Sequence, residues 1–281
     1  MSEPKPSTRA QRARVGSLSL RYSVTGTEGR PLLLVNGVGA NIEMWAPFRR
    51  SLGSRRTIAF DAPGTGGSST PARPLTMREI GTVTLGLLDS LGYGSVDVLG
   101  YSFGGSIAQE MARVDPSRIH RLVLAAASCG WGSVPGDPFA LLAMLTPARY
   151  YFLPATATVN ALFGGSRLTD FATADAARLH RPPDPIGYCW QLLAAIGWSS
   201  LPWLHRVRVP TLVLAAARDR LVRASTARTL ARRIPGARLE VVPDANHFFL
   251  QREDTRAAST LVTSFLDERG AGQCDAELAC T

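Results

Sequence analysis

The chain has few of the side chains that bind metals, cross-link, or exchange protons near neutral pH. There are four histidines and four cysteines among 281 residues. The cysteines (Cys129, Cys189, Cys274 and Cys280) show none of the paired spacings of a metal site, so no metal is expected. The stretch from Met1 to Arg14 carries charge but no apolar core, so it does not read as an export signal. A cytoplasmic location without disulfides is therefore expected. No apolar run reaches the roughly 18 to 20 residues that would span a bilayer, which excludes a transmembrane segment. Lysine is nearly absent: Lys5 stands alone, and the formal net charge of +9 rests on arginines scattered along the chain. Scattered arginines do not make the clustered basic stripe of a nucleic-acid binder, and no nucleic-acid partner is expected. The glycine-rich run from Asp61 to Ser69 lacks the Gly-Lys-Ser/Thr ending of a phosphate loop and does not open a helix, so it implies no nucleotide cofactor.

Against these absences stands a regular alternation of strand-like and helical segments, the pattern of a mostly parallel sheet with helices on both faces. Arg14 to Thr25 reads as an opening hairpin. Pro31–Val35, Thr57–Phe60, Val96–Leu99, Arg121–Ala125, Pro210–Leu214 and Arg238–Val242 read as strands. Met44–Leu52, Met77–Leu91, Ser106–Val114, Ser225–Ile234 and Arg252–Arg269 read as helices between or after them. The alternation breaks between residues 129 and 205, a stretch rich in proline and aromatics that includes Trp131, Tyr150, Tyr151, Phe163, Phe171, Tyr188, Trp190, Trp198 and Trp203. Helical stretches within it, Phe139–Met144 and Tyr188–Ile196, suggest a cap over the carboxyl ends of the strands, where open α/β sheets bind ligands. The expected organisation is a body of residues 14–128 and 206–269, a helical cap of 129–205, and poorly ordered tails of 1–13 and 270–281.

One segment carries chemistry. Gly100-Tyr101-Ser102-Phe103-Gly104 matches G-x-S-x-G at the point where a strand turns sharply into a helix, which lifts a serine hydroxyl clear of the sheet edge. A serine hydroxyl is a weak nucleophile and needs a base, normally a histidine oriented by a carboxylate. His120 lies at the amino end of a strand, and His180 and His205 lie in or beside the cap. His247 follows the last strand, where it can reach back over the sheet. Asp219 follows the strand before it; Asp244 is too close in sequence to His247 and reads as a turn former. The order Ser102, Asp219, His247 is that of α/β-hydrolases. Two backbone N–H groups are needed for an oxyanion hole, and those of Phe103 and Val38 are the candidates. Val38 lies in the loop Asn36-Gly37-Val38-Gly39-Ala40-Asn41.

The chain resembles the α/β-hydrolase superfamily over about residues 15–268, and within it the intracellular medium-chain-length polyhydroxyalkanoate depolymerases. The resembling segments are Leu33–Asn41, Phe60–Ser69, Leu91–Gly100, Val134–Pro138 and, most specific, the cap stretches Gly187–Leu192 and Gly197–Arg206. Asn36 also fits this family. Phe103, where tryptophan is common, and Arg220, where proline is, depart from its pattern. The resemblance implies an α/β-hydrolase fold and a serine hydrolase of 3-hydroxyacyl polyester or its oligomers. It implies action at or near storage granules, through Ser102, Asp219 and His247 and without cofactor. Asn36 and Gly37, with Tyr188 and Trp198 from the cap, are expected to contact substrate. Other readings compatible with the same residues are a small-molecule carboxylesterase, lactonase or thioesterase, a carbon–carbon bond hydrolase, and a granule-binding protein without turnover.

Overall fold

Along each central strand, successive apolar side chains leave the backbone on opposite sides, so a run such as Leu32, Leu33, Leu34, Val35 must be covered twice. The computed structural model, which describes residues 9–152, 154, 155, 158, 159 and 172–268, covers it twice. Leu33, Val35, Val98, Leu122, Leu124 and Val213 enter one core, and Leu32, Leu34, Leu99, Val123, Leu212 and Leu214 the other. The eight strands are β1 (Gln11–Val15), β2 (Leu18–Thr25), β3 (Glu28–Val35), β4 (Arg55–Phe60), β5 (Val96–Tyr101), β6 (Ile119–Ala125), β7 (Thr211–Ala216) and β8 (Arg238–Val242). Their order in the sheet is β1-β2-β4-β3-β5-β6-β7-β8. β1 and β2, and β2 and β4, pair antiparallel; the remaining pairs are parallel.

Helices α2 (Met77–Ser90) and α3 (Phe103–Val114) bury Leu87, Leu88, Ile107 and Met111 in the first core. There they are joined by Leu230 of α7 (Ala224–Arg233). α1 (Ala46–Ser51) and α8 (Arg256–Asp267) cover the other face through Phe48, Val262 and Phe265. α2 is closed at its start by a capping box in which Thr76 and Glu79 satisfy each other's backbone N–H groups.

The expected organisation is corrected at one end. Residues 11–13, assigned to a tail, form the start of β1 and pair with Leu20–Tyr22 of β2. Residues 270–281, with Cys274 and Cys280, lie outside the described residues, as do Phe163 and Phe171.

The sheet order reverses between β3 and β5: the chain crosses from β3 to β4 on one side, then returns to lay β5 on the other. Loops leaving the carboxyl ends of these two neighbours diverge and open a crevice, the usual ligand position in such sheets. The segment between β6 and β7 packs above it, carrying α4 (Pro138–Met144), α5 (Ala172–His180) and α6 (Pro185–Ala195). Gln191 of α6 ties two loops together, accepting from the Gly39 N–H at 2.9 Å and donating to the Pro63 carbonyl at 3.1 Å. Asn41 donates to the carbonyls of Ala177 and Arg181, both at 2.8 Å.

Candidate active site

The glycines of the Gly100–Gly104 turn are there because neighbouring backbone leaves no room for a side chain. A Cβ on Gly100 would lie 2.5 Å from the Gly104 oxygen, and one on Gly104 would lie 2.1 Å from the Val35 oxygen. Ser102 has room but sits at φ 54° and ψ −120°, a conformation costly for an L-residue and held by its surroundings. Its N–H donates to the Ala125 carbonyl at 2.9 Å, and its own carbonyl accepts from Gly105 at 2.8 Å. The turn delivers the hydroxyl to the crevice at the head of α3.

His247 Nε2 lies 3.1 Å from Ser102 Oγ, and His247 Nδ1 lies 2.8 Å from Asp219 Oδ2. The other carboxylate oxygen of Asp219 accepts the N–H groups of Leu221 and Val222, each at 2.8 Å. The Asp219 side chain is fully buried, so its orientation is fixed by three donors rather than by water. Tyr101 holds the histidine from behind: its hydroxyl donates to the His247 carbonyl at 2.8 Å, and the two rings pack with centroids 5.6 Å apart. Burial pushes the Tyr101 phenol well above its ordinary pKa, and the Asp219 carboxylate adds to the shift, so the hydroxyl stays a donor. Asp244 points elsewhere, exposed and ion-paired with Arg218.

The loop after β3 forms a turn, with the Ala40 N–H donating to the Gly37 carbonyl at 3.2 Å and Gly39 at φ 70°. The Gly39 N–H is held by Gln191, and the Val38 carbonyl accepts from the Tyr150 hydroxyl at 2.5 Å. A Cβ on Gly37 would touch Ser102 Cβ at 3.5 Å, so this loop lies against the serine. Ser102, His247, Val38 and Phe103 all border one cavity of about 710 Å³ whose wall is largely apolar.

The sequence matches the alpha/beta hydrolase family over residues 32–259. The chain belongs to that family. It is 40% identical over 242 residues to a poly(3-hydroxyalkanoate) depolymerase from Ectopseudomonas oleovorans, covering 85% of this chain and 84% of that one. The crystal structure of a hydrolase from Pseudomonas aeruginosa PA01 superposes with a TM-score of 0.75 at 30% identity, over 93% of this chain and 99% of that one. The enol-lactonase from Burkholderia xenovorans LB400 superposes with a TM-score of 0.74 at 25% identity, over 92% of this chain and 100% of that one.

In this alpha/beta hydrolase, Gly37 and Trp198 border the cavity, whereas Asn36 and Tyr188 do not. Both of the latter were expected to contact substrate. The Asn36 amide is occupied within its own loop, donating to the Asn41 carbonyl and accepting from the Gly37 N–H. Tyr188 is completely buried, donates to the Met144 carbonyl at 2.7 Å, and backs the turn at Gly39. Trp198 donates from Nε1 to Glu110 of α3 at 2.8 Å. Sequence reasoning passed over Arg149 and Arg178, which are buried and border the cavity. Among so many arginines no local signal separates these two.

Proposed function

We propose that this hydrolase cleaves carboxylic esters through a covalent acyl-enzyme, with Ser102 as nucleophile, His247 as general base and acid, and Asp219 as the orienting carboxylate. The observation that carries the reading is the continuous hydrogen-bonded line from Ser102 Oγ through His247 to Asp219. In the first step His247 Nε2 takes the hydroxyl proton as Oγ attacks the ester carbonyl. Asp219 keeps the proton of the other ring nitrogen in place and stabilises the imidazolium that forms. The N–H groups of Val38 and Phe103 receive the negative oxygen; Phe103 opens α3, so its N–H belongs to the unsatisfied first turn of a helix. The imidazolium then protonates the departing alkoxide. Water repeats the sequence on the acyl-enzyme and frees the acid. The scheme calls for no metal or organic cofactor.

The proposed substrate is a 3-hydroxyacyl polyester or its oligomers. It is supported by the depolymerase relative and by the largely apolar cavity of about 710 Å³ beside Ser102. Exposed apolar side chains in the same region, Trp131 at 79%, Phe139 at 73% and Ile196 at 73%, support contact with an apolar polymer surface such as a cytoplasmic storage granule. Among the described residues no helix is long and apolar enough to cross a membrane. The test is a serine-reactive phosphonate followed by an ester panel of increasing acyl length. Labelling at Ser102 and turnover of 3-hydroxyacyl oligomers are expected. Absence of labelling would point to a binding protein, and turnover confined to short esters would sink the polyester assignment.

A further inference from the structure

The peptide that joins Val38 to Gly39 is held at both ends by side chains from the segment between β6 and β7. Its carbonyl oxygen accepts from the Tyr150 hydroxyl at 2.5 Å, and its N–H donates to Gln191 Oε1 at 2.9 Å. Tyr150 and Gln191 are 1% and 2% exposed, so water does not compete for either bond. Each is itself oriented. Arg149 donates to the Tyr150 oxygen at 3.0 Å, which leaves the hydroxyl proton for Val38, and adds a longer bond of its own to the Val38 carbonyl at 3.3 Å. Gln191 Nε2 donates to the Pro63 carbonyl at 3.1 Å, which turns the amide oxygen towards Gly39.

The clamped peptide is the centre of a turn closed by the Ala40 N–H on the Gly37 carbonyl at 3.2 Å. Gly39 at φ 70° gives that turn its type II form. Type I and type II turns differ chiefly by a flip of this central peptide, and glycine in the third position tolerates both. The local sequence therefore leaves the flip open, and the two clamps close it. The first peptide of the same turn carries the proposed oxyanion donor. A trans peptide sets its C=O and N–H on opposite sides, so the Val38 N–H points away from the bond that closes the turn. Among the described residues it donates to no protein acceptor, and Val38 borders the cavity beside Ser102.

We infer that Tyr150 and Gln191 are positioning residues for the oxyanion hole, holding the Val38 N–H in its productive direction by fixing the next peptide along. The inference rests on the acyl-enzyme reading of Ser102 with Val38 as an oxyanion donor, and it specifies what aims that donor. An oxyanion donor lowers the barrier only if it faces the developing charge before the charge appears. Once either clamp is removed, the peptide between Val38 and Gly39 rocks, and the Val38 N–H spends time off the oxyanion's position. The hole is thus built jointly: the body supplies Phe103, and the inserted segment aims Val38.

The test compares p-nitrophenyl octanoate with its thionoester, in which sulfur replaces the carbonyl oxygen. Sulfur is bulkier and a weaker acceptor, so well-aimed donors should favour the oxygen ester by about tenfold or more in kcat/KM. Tyr150→Phe and Gln191→Leu should each lower that ratio at least about threefold, with kcat on the oxygen ester falling roughly ten- to hundredfold and KM changing less than about threefold. Because the ratio is measured within one protein, it does not depend on how much of a variant folds. Trp190→Phe is the control: it deletes another bond from α6 to the body, the one to the Pro71 carbonyl at 3.1 Å, and should leave the ratio unchanged. A wild-type ratio near one, a ratio unmoved in either clamp variant, a loss confined to KM, or an equal fall in Trp190→Phe would overturn the inference while leaving the acyl-enzyme reading intact. Absence of wild-type turnover on both esters would overturn both.

Discussion

Trp198 Nε1 donates to the buried carboxylate of Glu110 at 2.8 Å, joining the segment between β6 and β7 to the helix that begins at the Gly100–Gly104 turn. The second oxygen of Glu110 is buried without a hydrogen-bond donor among the described residues, and Arg113 donates to the first at 3.5 Å. The link matters because Trp198 also borders the cavity. Glu110→Gln keeps an acceptor for the indole and should cost little stability. Glu110→Leu leaves the indole N–H unsatisfied and should destabilise by about 1 to 3 kcal/mol. Thermal melts of the two variants decide it; an equal loss in both would mean that charge, not the hydrogen bond, is what Trp198 requires.

Ser102 supplies a second prediction, on activity and stability separately. Ser102→Ala should lower ester turnover by about 10⁴-fold or more, and His247→Ala should resemble it. Ser102→Gly should be equally inactive but at least as stable as Ser102→Ala, because glycine adopts φ 54° without a Cβ penalty. More than about a tenth of wild-type turnover in Ser102→Ala would refute the acyl-enzyme scheme.

The two aspartates near His247 are separated by charge-neutral substitutions. Asp219→Asn should cost roughly 10³- to 10⁴-fold in turnover, because an amide favours the wrong imidazole tautomer. Asp244→Asn removes only an exposed ion pair with Arg218 and should change turnover by less than about threefold. The reverse ranking would move the orienting acid to Asp244.

The line of residues reaching His247 was readable because each follows a strand whose apolar run is unmistakable: Val96–Leu99, Pro210–Leu214 and Arg238–Val242 all lie on or beside observed strands. β1 was cut short for the opposite reason. Gln11, Arg12 and Arg14 are exposed and show no apolar alternation, so their strand conformation comes from pairing with β2 rather than from local preference. Tyr188 was misplaced because an aromatic in a helix facing a cleft has the same sequence appearance whether it lines the cleft or props up a loop. Arg149 and Arg178 were invisible because burial of a charge is decided by tertiary neighbours, which the local sequence does not contain.

Gly187 tests how closely α6 must approach the body. Alanine there would normally strengthen a helix by about 1 kcal/mol. Here its Cβ would fall 2.4 Å from the Gly64 Cα, and Gly64, at φ 82°, has no side chain to move aside. Overpacking of this sort costs about 1 to 3 kcal/mol, so the clash wins. Gly187→Ala should lower Tm by several degrees, on the order of 2 to 4 °C per kcal/mol for a chain of this size. A raised Tm would show that the contact between α6 and the loop after β4 is looser than described.

Trp198 and Tyr188 separate a pocket wall from packing. Trp198 borders the cavity; Tyr188 sits behind the loop and outside it. Trp198→Ala should therefore weaken turnover of medium-chain acyl esters more than short ones, by about 1 to 3 kcal/mol in kcat/KM, as expected when an apolar pocket loses contact with a few methylenes. Tyr188→Phe deletes only the hydrogen bond to the Met144 carbonyl and should lower stability by about 1 kcal/mol with chain-length preference unchanged. Kinetics across acyl lengths, paired with melts of both variants, give four numbers that the two roles arrange differently. If Trp198→Ala reduces all chain lengths alike while Tm falls, the indole is packing, and selection of the acyl chain belongs to other parts of the wall such as Leu192 and Met144.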